Sequence, residues 1–479
     1  MRPRNVQVAV LCMALLVLAV APGLAHTPRT NPSPENSAGT DSIFNSSWFL
    51  ETIESANDVG QHVSIAIHSS NVPYMSYYDA TNDDLRVAHY VGSEGNCGEN
   101  NDWFCEVVDD GGASDDDVGE YSSIAMNPVT GHPAIAYHDT TNGALKYAWR
   151  LCYPTCHWIT ETVDLRPSLN RCSRGYWTSL AFAGDDSTPV ISHYCAGLMG
   201  YGELRTAIAD SSGDGNCGEG SAAGDWQCDV IESGTGIGKY TSVQADLWDS
   251  TLSVYISYYD GENGDLKLAG YSGPPPDKGV DGAIPAGNCG PGDTWDCVTI
   301  DSAGDVGRFT SLVMSGGIQI AYYDATNGAL KFAEAGPMHT LGNCGPSGHW
   351  QCDTIDTMGT SSSPMGISLG QMDGYSIIAY QSISDEFSPG TLKVARPADT
   401  LGLPYGNCGP ADPVFYSWQC DTIDHGGGGS NADEAGYTAL AIHSSGLVTI
   451  AYHEDEDYLA GNLKVAYQRV QAFLPLVMR

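Results

Sequence analysis

The stretch Thr310-Ser-Leu-Val313, followed by Ile320-Ala-Tyr-Tyr-Asp-Ala-Thr-Asn-Gly-Ala-Leu-Lys-Phe-Ala333, decides the fold. Residues 309–314 are mostly apolar and predict a strand that is buried on both faces. Residues 318–324 predict a second strand. A hairpin turn is predicted at 325–328, because Asn-Gly tolerates the positive φ that such turns need.

Two flanking segments complete a unit of four strands. Residues 295–301 alternate and carry residues that favour strands, and Leu330 opens a further strand. Four short antiparallel strands describe one blade of a β-propeller. A solenoid would need shorter repeats with parallel stacking, and separate domains of about 55 residues would each bury too small a core.

The unit recurs along the chain, which is the sequence pattern of repeat architectures. One marker is a tryptophan before an apolar and acidic run, found at Trp48, Trp103, Trp158, Trp226, Trp295, Trp350 and Trp418. The other is Leu-Lys/Arg-x-Ala, found at Leu85, Leu145, Leu204, Leu266, Leu330, Leu392 and Leu463. The two markers alternate. They predict an all-β, seven-bladed β-propeller of four-stranded antiparallel blades over residues 47–470.

The phase of the repeat predicts how the ring closes. The repeats begin with a tryptophan strand at residues 48–55 and end with a Leu-Lys strand at residues 463–470. A tryptophan strand is expected to be the outermost strand of the preceding blade, so the last blade lacks its own. We therefore expect the N-terminal strand to complete the last blade and to cover two sheet edges.

The two ends of the chain lie outside the repeat. Residues 1–25 combine Arg2 and Arg4 with an apolar run and a small-residue cleavage site, which predicts a secretory signal peptide. A transmembrane anchor is the alternative, although the run is shorter than the ~20 residues that a bilayer needs. Residues 26–46 predict a disordered lead. The apolar tail 471–479 is interpreted as a packed segment or an export tag.

Composition narrows the classes of partner. The chain has 58 Asp and Glu against 20 Lys and Arg, a formal net charge of −38. Phosphate backbones repel such a chain, so no nucleic-acid partner is expected. Acidity of this kind favours solubility, cations and neutral ligands such as sugars. No stretch after the signal peptide is long enough to span a membrane, and we expect a secreted, extracellular or cell-surface monomer.

The cysteines predict a disulfide framework. Of 15 cysteines, Cys12 leaves with the signal peptide. An even count at repeated spacing is typical of an exported disulfide scaffold. Metal sites are the alternative, but two sulfurs per repeat without a repeated histidine make poor zinc sites. The other 14 pair on local grounds: Cys97 with Cys105, Cys152 with Cys156, Cys217 with Cys228, Cys289 with Cys297, Cys344 with Cys352, Cys408 with Cys420, and Cys172 with Cys195.

Strands A to D of a blade run from the axis outwards, which defines two faces. Loops D-to-A and B-to-C lie on one face, and loops A-to-B and C-to-D lie on the other. Six of the predicted disulfides are expected in C-to-D loops. The seventh differs, because Cys172 is expected in a D-to-A loop and Cys195 at the end of a B strand. Propeller ligands are expected near the axis on the D-to-A/B-to-C face.

Two groups of residues are predicted on that face. The first is a ring of acids that end strand B: Asp79, Asp139, Asp260, Asp324 and Glu454. Such acids usually accept hydrogen bonds from the backbone of their own turn. The alternative is a cation site, with Ca²⁺ as the cofactor, which needs several oxygens converging on one point. The neighbouring tyrosines are expected to pack between blades.

The second group lies where repeats depart from their own pattern, in blades three, six and seven. A structural repeat keeps the same residues in each copy, whereas a binding site needs residues that differ between copies. We therefore predict ligand-binding residues in these three blades. Loop drift on a tolerant surface is the alternative. The predicted residues are Arg171, Arg174, Trp177, His193, Tyr201, Phe387 and Tyr458.

The quoted repeat resembles those of secreted bacterial propellers that are similar to fucose-lectin-like and sialidase-like propellers. The resemblance covers nearly all of residues 47–470 and implies the fold. Sialidases use an arginine triad, a Tyr–Glu nucleophile and an Asp acid/base. Here Arg86 and Arg205 alternate with lysine in other blades, Arg171, Arg174 and Arg308 are candidates to converge, and no Tyr–Glu pair is identifiable.

These patterns favour a secreted, non-catalytic propeller that recognises a carbohydrate, a protein or another cell-surface ligand. No catalytic residue is predicted. A sialidase-like glycoside hydrolase and a structural surface protein are the alternatives. No Gly-x-Ser-x-Gly elbow, His-Glu-x-x-His or phosphate loop supports hydrolase, zinc-protease or nucleotide chemistry.

Overall fold

The fold is seen in a computed structural model of the chain. The residues that it describes are 47–114, 116–165, 172–184, 187–218, 225–249, 251–273, 287–335, 342–357, 366–372, 374–382, 390–398, 406–410, 418–428, 437–457 and 460–469. The predicted signal peptide, disordered lead and C-terminal tail lie outside these ranges and stay predictions. The described part of the chain contains no helix with the length and apolarity of a membrane span.

The described residues form strands β1 to β28, in chain order. The first is β1 (Trp48–Glu54). Blade one contains β2 (Val59–Ile67), β3 (Pro73–Asp79), β4 (Asp84–Tyr90) and β5 (Trp103–Asp109). Blade two contains β6 (Val118–Met126), β7 (Pro133–Asp139), β8 (Ala144–Cys152) and β9 (Cys156–Asp164). Blade three contains β10 (Cys172–Ala183), β11 (Thr188–Gly197), β12 (Tyr201–Ala209) and β13 (Trp226–Thr235).

The remaining blades repeat this order. Blade four contains β14 (Ile237–Trp248), β15 (Thr251–Asp260), β16 (Asp265–Gly273) and β17 (Asp296–Asp301). Blade five contains β18 (Val306–Met314), β19 (Ile318–Asp324), β20 (Ala329–Ala335) and β21 (Trp350–Thr357). Blade six contains β22 (Ile367–Met372), β23 (Tyr375–Ser382), β24 (Gly390–Pro397) and β25 (Trp418–Gly428). Blade seven contains β26 (Thr438–Ile442), β27 (Val448–Asp457) and β28 (Ala460–Gln468).

Every blade is a four-stranded antiparallel sheet, which confirms the predicted fold class. In blades one to six the strands pair in chain order. The seventh sheet has the order β1-β28-β27-β26, so the N-terminal strand is its outermost strand. Trp48 pairs with Gln468 and Thr52 with Lys464. Ring closure by the N-terminal strand is therefore as expected.

Hydrogen bonds between neighbouring A strands hold the centre of the ring. A strand A serine accepts a bond from a backbone N–H of the next blade, as in Ile124 N to Ser64 Oγ (3.2 Å) and Val243 N to Ser179 Oγ (3.0 Å). The same contact joins four further neighbouring pairs of blades. Ala439 stands at the serine position of blade seven and has no hydroxyl. Buried backbone donors need such partners, so the serines permit close packing of the A strands.

A second contact joins neighbouring blades further from the axis. A tyrosine of strand B donates to a carboxylate at the end of the preceding blade's strand D, and a strand C lysine or arginine binds the same carboxylate. In blade four, Tyr258 Oη and Lys267 Nζ each lie 2.5 Å from Glu232. We call this arrangement the interblade lock. Its six tyrosines are fully buried, as expected for packing between blades: Tyr77, Tyr137, Tyr258, Tyr322, Tyr380 and Tyr452.

A glycine near the start of strand A lets the blades approach. Gly238 and Gly307 have φ of 95° and 102°, which favours glycine. A Cβ at either residue would lie 2.6 Å from a backbone Cα of the preceding blade, that of Leu204 or Leu266. The repeated glycine therefore serves both the backbone conformation and the packing.

All 14 cysteines of the described residues pair as predicted. Five of the disulfides connect the C-to-D loop to strand D of the same blade, and Cys152–Cys156 connects the end of strand C to the start of strand D. Their expected place was wrong in one detail, because the second cysteine lies inside strand D rather than in the loop before it. These second cysteines are Cys105 in β5, Cys156 in β9, Cys228 in β13, Cys297 in β17, Cys352 in β21 and Cys420 in β25.

Backbone pairing explains why strand D begins so early. In blade one, Cys97 and Trp103 exchange backbone hydrogen bonds at 3.2 and 3.3 Å, so the chain has already turned back at the tryptophan. The backbone N–H of Cys105 then donates to Asn96 Oδ1 at 2.7 Å. An isolated bridge of the same kind precedes the second cysteine in blades three to six. The disulfides therefore fasten the loop to the outer strand.

The seventh disulfide also differs from expectation in one detail. Cys172 is the first residue of β10 rather than part of the preceding loop. Its partner Cys195 lies in β11, so this disulfide joins strands A and B of blade three.

Candidate functional site

An aromatic residue with a left-handed backbone stands near the start of several A strands. His62, Tyr121, Trp177, Tyr240 and Phe309 have φ between 47° and 58°. Positive φ is uncommon for bulky residues and costs free energy wherever it occurs. In each case strand pairing shifts register around the residue. The repeat thus maintains a strained bulge that presents an aromatic side chain in five consecutive blades.

These side chains contact one another around the axis. The ring centroids lie 4.2 Å apart for Tyr437 and His62 and for His62 and Tyr121. The series continues through Trp177 at 5.5 Å, Tyr240 at 4.7 Å and Phe309 at 4.4 Å. His62 is buried and the other five are half-buried. We call this set the axial aromatic arc: His62, Tyr121, Trp177, Tyr240, Phe309 and Tyr437.

Blade six interrupts the arc. Gly366 occupies the equivalent position there, with φ of 85°. The backbone conformation is kept while the side chain is lost, so the arc has a gap at blade six. This asymmetry gives the axial region a preferred side.

Hydrogen bonds fix the backbone beneath the arc. Thr241 Oγ1 donates to the carbonyl oxygen of Trp177, and Thr310 Oγ1 donates to that of Tyr240, both at 2.8 Å. Ser122 Oγ donates to the carbonyl oxygen of His62 at 2.9 Å. The strained residues are therefore held by the next blade, which preorganises the aromatic surfaces.

Polar side chains surround the arc on the D-to-A/B-to-C face. The residue before each aromatic is Gln61, Glu120, Tyr176, Lys239 or Arg308. Arg308 binds Asp305 with Nε at 3.2 Å and Nη2 at 2.5 Å, and Tyr259 Oη donates to the same carboxylate at 2.8 Å. Burial raises the pKa of Tyr259 to about 12, and its bond to Asp305 adds to the rise. The phenol therefore stays a hydrogen-bond donor.

Charge is distributed unevenly around the arc. Burial raises the pKa of Glu120 in blade two, although Thr140 donates to its carboxylate. Burial lowers the pKa of Lys239 in blade four, and the positive charge of Arg308 lowers it further. Blade two thus presents an acid and blade four presents a lysine, whereas the charge of Arg308 in blade five is paired with Asp305.

Of the predicted ligand-binding residues, Trp177 lies in the axial aromatic arc. Arg174 and His193 instead belong to the interblade lock between blades two and three. Arg174 Nη1 donates to Asp164, and His193 Nε2 lies 3.6 Å from the same carboxylate. Tyr201 is 38% exposed at the start of strand C and donates to Glu203 at 2.8 Å. Arg171, Phe387 and Tyr458 lie outside the described residues.

The predicted acid ring is spread over separate turns. Asp79, Asp139, Asp260 and Asp324 each accept hydrogen bonds from the asparagine three residues later, for example Asn327 N to Asp324 Oδ1 at 2.9 Å. Glu454 forms an ion pair with Lys464 at 2.9 Å. Within the described residues, the one trio of His, Cys, Asp or Glu whose ligand atoms lie within 4.8 Å is Cys172, Cys195 and Glu203, and its sulfurs form a disulfide.

One expectation about catalysis was wrong. Tyr–Glu pairs do exist, because Tyr77 donates to Glu54 and Tyr258 to Glu232, each at 2.5 Å. Sequence reasoning missed them because the partners belong to different blades. Both tyrosines are fully buried members of the repeated lock, which gives the pairs a packing role. Arg174 and Arg308, candidates for an arginine cluster, bind the separate carboxylates Asp164 and Asp305.

Of the residues in the arc, only Trp177 was predicted from the sequence as a site residue. The sequence pattern that marks the others is a Gly-x-aromatic spacing, found at Gly60/His62, Gly119/Tyr121, Gly175/Trp177, Gly238/Tyr240 and Gly307/Phe309. The side chain is histidine, tyrosine, tryptophan or phenylalanine, so the positions vary in identity while sharing one conformation.

A groove of about 430 Å³ also opens between blades two and three on the opposite face. Its lining includes Tyr147, Trp149, Glu161, Asp210, Asp225 and Trp226. Trp226 Nε1 donates to Glu161 at 2.9 Å, and Ser212 N donates to Asp210 at 2.9 Å. Some of the polar groups that line the groove are therefore engaged in hydrogen bonds within the protein.

We expect stability to fall in acid because buried histidines resist protonation. Burial lowers the pKa of His62 to about 3 and of His138 to about 4. The unfolded chain takes up these protons below about pH 6.5, so between pH 6.5 and 4 it binds more protons than the folded chain. Each such histidine should reduce the free energy of unfolding by up to about 1.4 kcal/mol per pH unit over this window.

His62→Phe tests this origin, because Phe309 shows that phenylalanine suits the equivalent position. Urea unfolding at pH 7 and pH 4.5 should show a smaller loss of stability for His62→Phe than for the parent chain. The exposed His157→Phe is the matched control. Equal losses for all three proteins would contradict the explanation.

No protein-family model matches the chain. No curated protein matches it either. Among solved structures, an unknown-function protein from Dyadobacter fermentans is 11% identical, with a TM-score of 0.39 over 88% of this chain and 98% of that one. Aleuria aurantia lectin in complex with Fucalpha1-6GlcNAc is 12% identical, with a TM-score of 0.38 over 81% and 98%. AofleA from Arthrobotrys oligospora is 13% identical, with a TM-score of 0.36 over 71% and 81%.

Proposed function

We propose that this propeller binds saccharides at the axial aromatic arc, without converting them, and acts outside the cell. The arc carries the proposal. Half-buried aromatic side chains near the starts of neighbouring A strands suit the C–H faces of sugar rings, while the polar side chains beside them suit hydroxyl groups. Concave sites that combine aromatic walls with a few fixed polar groups are typical of small-ligand binding.

The strained backbone supports a binding role. Five bulky residues with positive φ carry a conformational cost that extended residues would avoid, which supports a role for these side chains beyond strand pairing. The hydrogen bonds from the following blade keep the aromatic faces in place before a ligand arrives. Preorganisation of this kind reduces the entropy lost on binding. An extracellular site is consistent with the seven disulfides.

A glycan array with the oxidised mature chain tests the proposal. We expect selective retention of saccharides, and we expect Trp177→Ala to weaken the binding of the best ones by at least about tenfold, or about 1.4 kcal/mol. Titration calorimetry measures the affinity, and chromatography of the recovered saccharide should show it intact.

Trp248→Ala is the matched control. Trp248 ends strand A of blade four on the opposite face and is 80% exposed. This variant should bind like the parent chain. Absence of saccharide binding, or equal binding by parent and Trp177→Ala, would refute the proposal.

A further inference from the structure

One lysine at the rim of the axial aromatic arc differs from the others that the structure describes. Five lysines each bind the carboxylate of an interblade lock: Lys146, Lys267, Lys331, Lys393 and Lys464. Lys239 is the sixth, and no carboxylate among the described residues lies within ion-pair distance of it. In a chain with 58 acids and 20 bases, an unpaired lysine is the exception.

The surroundings of Lys239 make the absence of an anionic partner energetically unfavourable. Lys239 is half-buried in β14, immediately before Tyr240 of the arc, and its backbone pairs with Tyr259. The nearest charged neighbour in the adjacent A strand is another cation, Arg308. Asp305 already binds Arg308 through two nitrogens and accepts a bond from Tyr259. A half-buried charge without a counter-ion is unfavourable.

We propose that Lys239 binds an anionic group at the edge of a sugar ring, such as a uronate carboxylate, that stacks on the axial aromatic arc. This inference rests on the proposed function and names its ligand class. Lys239 directly precedes Tyr240, and its Cε lies near Gly236 in the loop that leads into strand A, on the D-to-A/B-to-C face that the arc shares. A compact ammonium suits carboxylate and sulfate alike as a point charge.

The positions of the charged side chains also predict the orientation of the bound saccharide. Anionic substituents belong at blade four, beside Lys239. The acid of blade two, Glu120, disfavours an anion on that side and suits hydroxyl donors.

Matched ligands separate charge from shape. Trigalacturonate and its methyl ester share one skeleton and differ in charge, and a sulfated trisaccharide distinguishes the source of the anion. We expect the parent chain to bind trigalacturonate or the sulfated probe at least about tenfold more tightly than the uncharged ester. Lys239→Gln should abolish this preference. Arg469→Gln, at an exposed residue after β28, is the control.

The outcomes distinguish the two proposals. Binding of neutral saccharides that depends on Trp177, without preference for the charged probes, overturns this inference and keeps the proposed function. A preference that survives in Lys239→Gln also overturns it. Absence of saccharide binding overturns both proposals.

A second readout needs no ligand. Removal of the uncompensated charge in Lys239→Met should raise the melting temperature of the free chain by about 1–3 °C. A lysine that stabilises the fold would instead lower the melting temperature on substitution, which would contradict the inference.

Discussion

A mature chain that lacks residues 26–56 is expected to melt at least about 10 °C below the full mature chain. The deletion removes β1, the outermost strand of blade seven. It leaves β28 as an unpaired edge and reduces the last sheet to three strands. Differential scanning calorimetry measures the difference.

Several losses add up in this deletion. Ile53 is 3% exposed and packs in the hydrophobic core with Leu463 and Val465. Its carbonyl oxygen accepts a bond from Gly98 N of blade one at 2.8 Å. Glu54 completes the lock with Tyr77 and Arg86, at 2.5 and 2.8 Å. Without Glu54 a buried phenol and a guanidinium lose their partner, which costs more than the loss of an exposed contact.

Deletion of residues 26–46 alone is the matched control, since it keeps β1. That variant should melt like the full mature chain. Equal melting of the two deletion variants would show that β1 does not close the ring.

Asp164→Asn is expected to reduce the free energy of unfolding by about 3–5 kcal/mol, because it leaves the buried Arg174 without its counter-charge and Arg205 with Glu203 alone. Asp164 is 1% exposed. It binds Arg205 Nε at 2.9 Å and Arg174 Nη1, and His193 Nε2 lies 3.6 Å away. The asparagine keeps the size of the side chain, so the variant reports the charge rather than a cavity.

Two comparisons isolate this effect. Asp301→Asn in the lock of blades four and five removes the partner of one cation, Lys331, and should cost less than Asp164→Asn, which removes a partner of two, Arg174 and Arg205. Asp296→Asn changes an exposed carboxylate in β17 and should have little effect. Urea unfolding of the three variants measures the order. Equal stability of Asp164→Asn and Asp296→Asn would contradict the role of the charge.

The repeat predicted most of the fold. Its phase placed the N-terminal strand in the last blade, and its cysteine spacing gave all seven disulfides, because both are set by local order along the chain. Only part of each interblade lock could be predicted from the sequence. Tyr322 and Lys331 stand at fixed positions of one blade, whereas Asp301 comes from the preceding one, so the triad follows from packing rather than from a single repeat.

Two departures from the repeat in blade three belong to the interblade lock. His193 replaces the lock tyrosine of blade three, and Arg174 replaces the apolar residue that other blades carry, such as Val306. The two changes meet at Asp164, so they act together within the scaffold. Conversely, the aromatic residues near the start of strand A share a positive φ, although their side chains differ from blade to blade. A sequence pattern shows such a backbone conformation only weakly, so the arc was recognised from the structure.

A crystal structure of the chain with the tightest-binding saccharide from the array would locate the binding site. We expect a sugar ring against Trp177 and Tyr240 in the axial aromatic arc, with its anionic group within hydrogen-bond distance of Lys239 Nζ. A saccharide seated elsewhere, for example in the groove beside Trp149 on the opposite face, with the arc empty, would contradict this expectation.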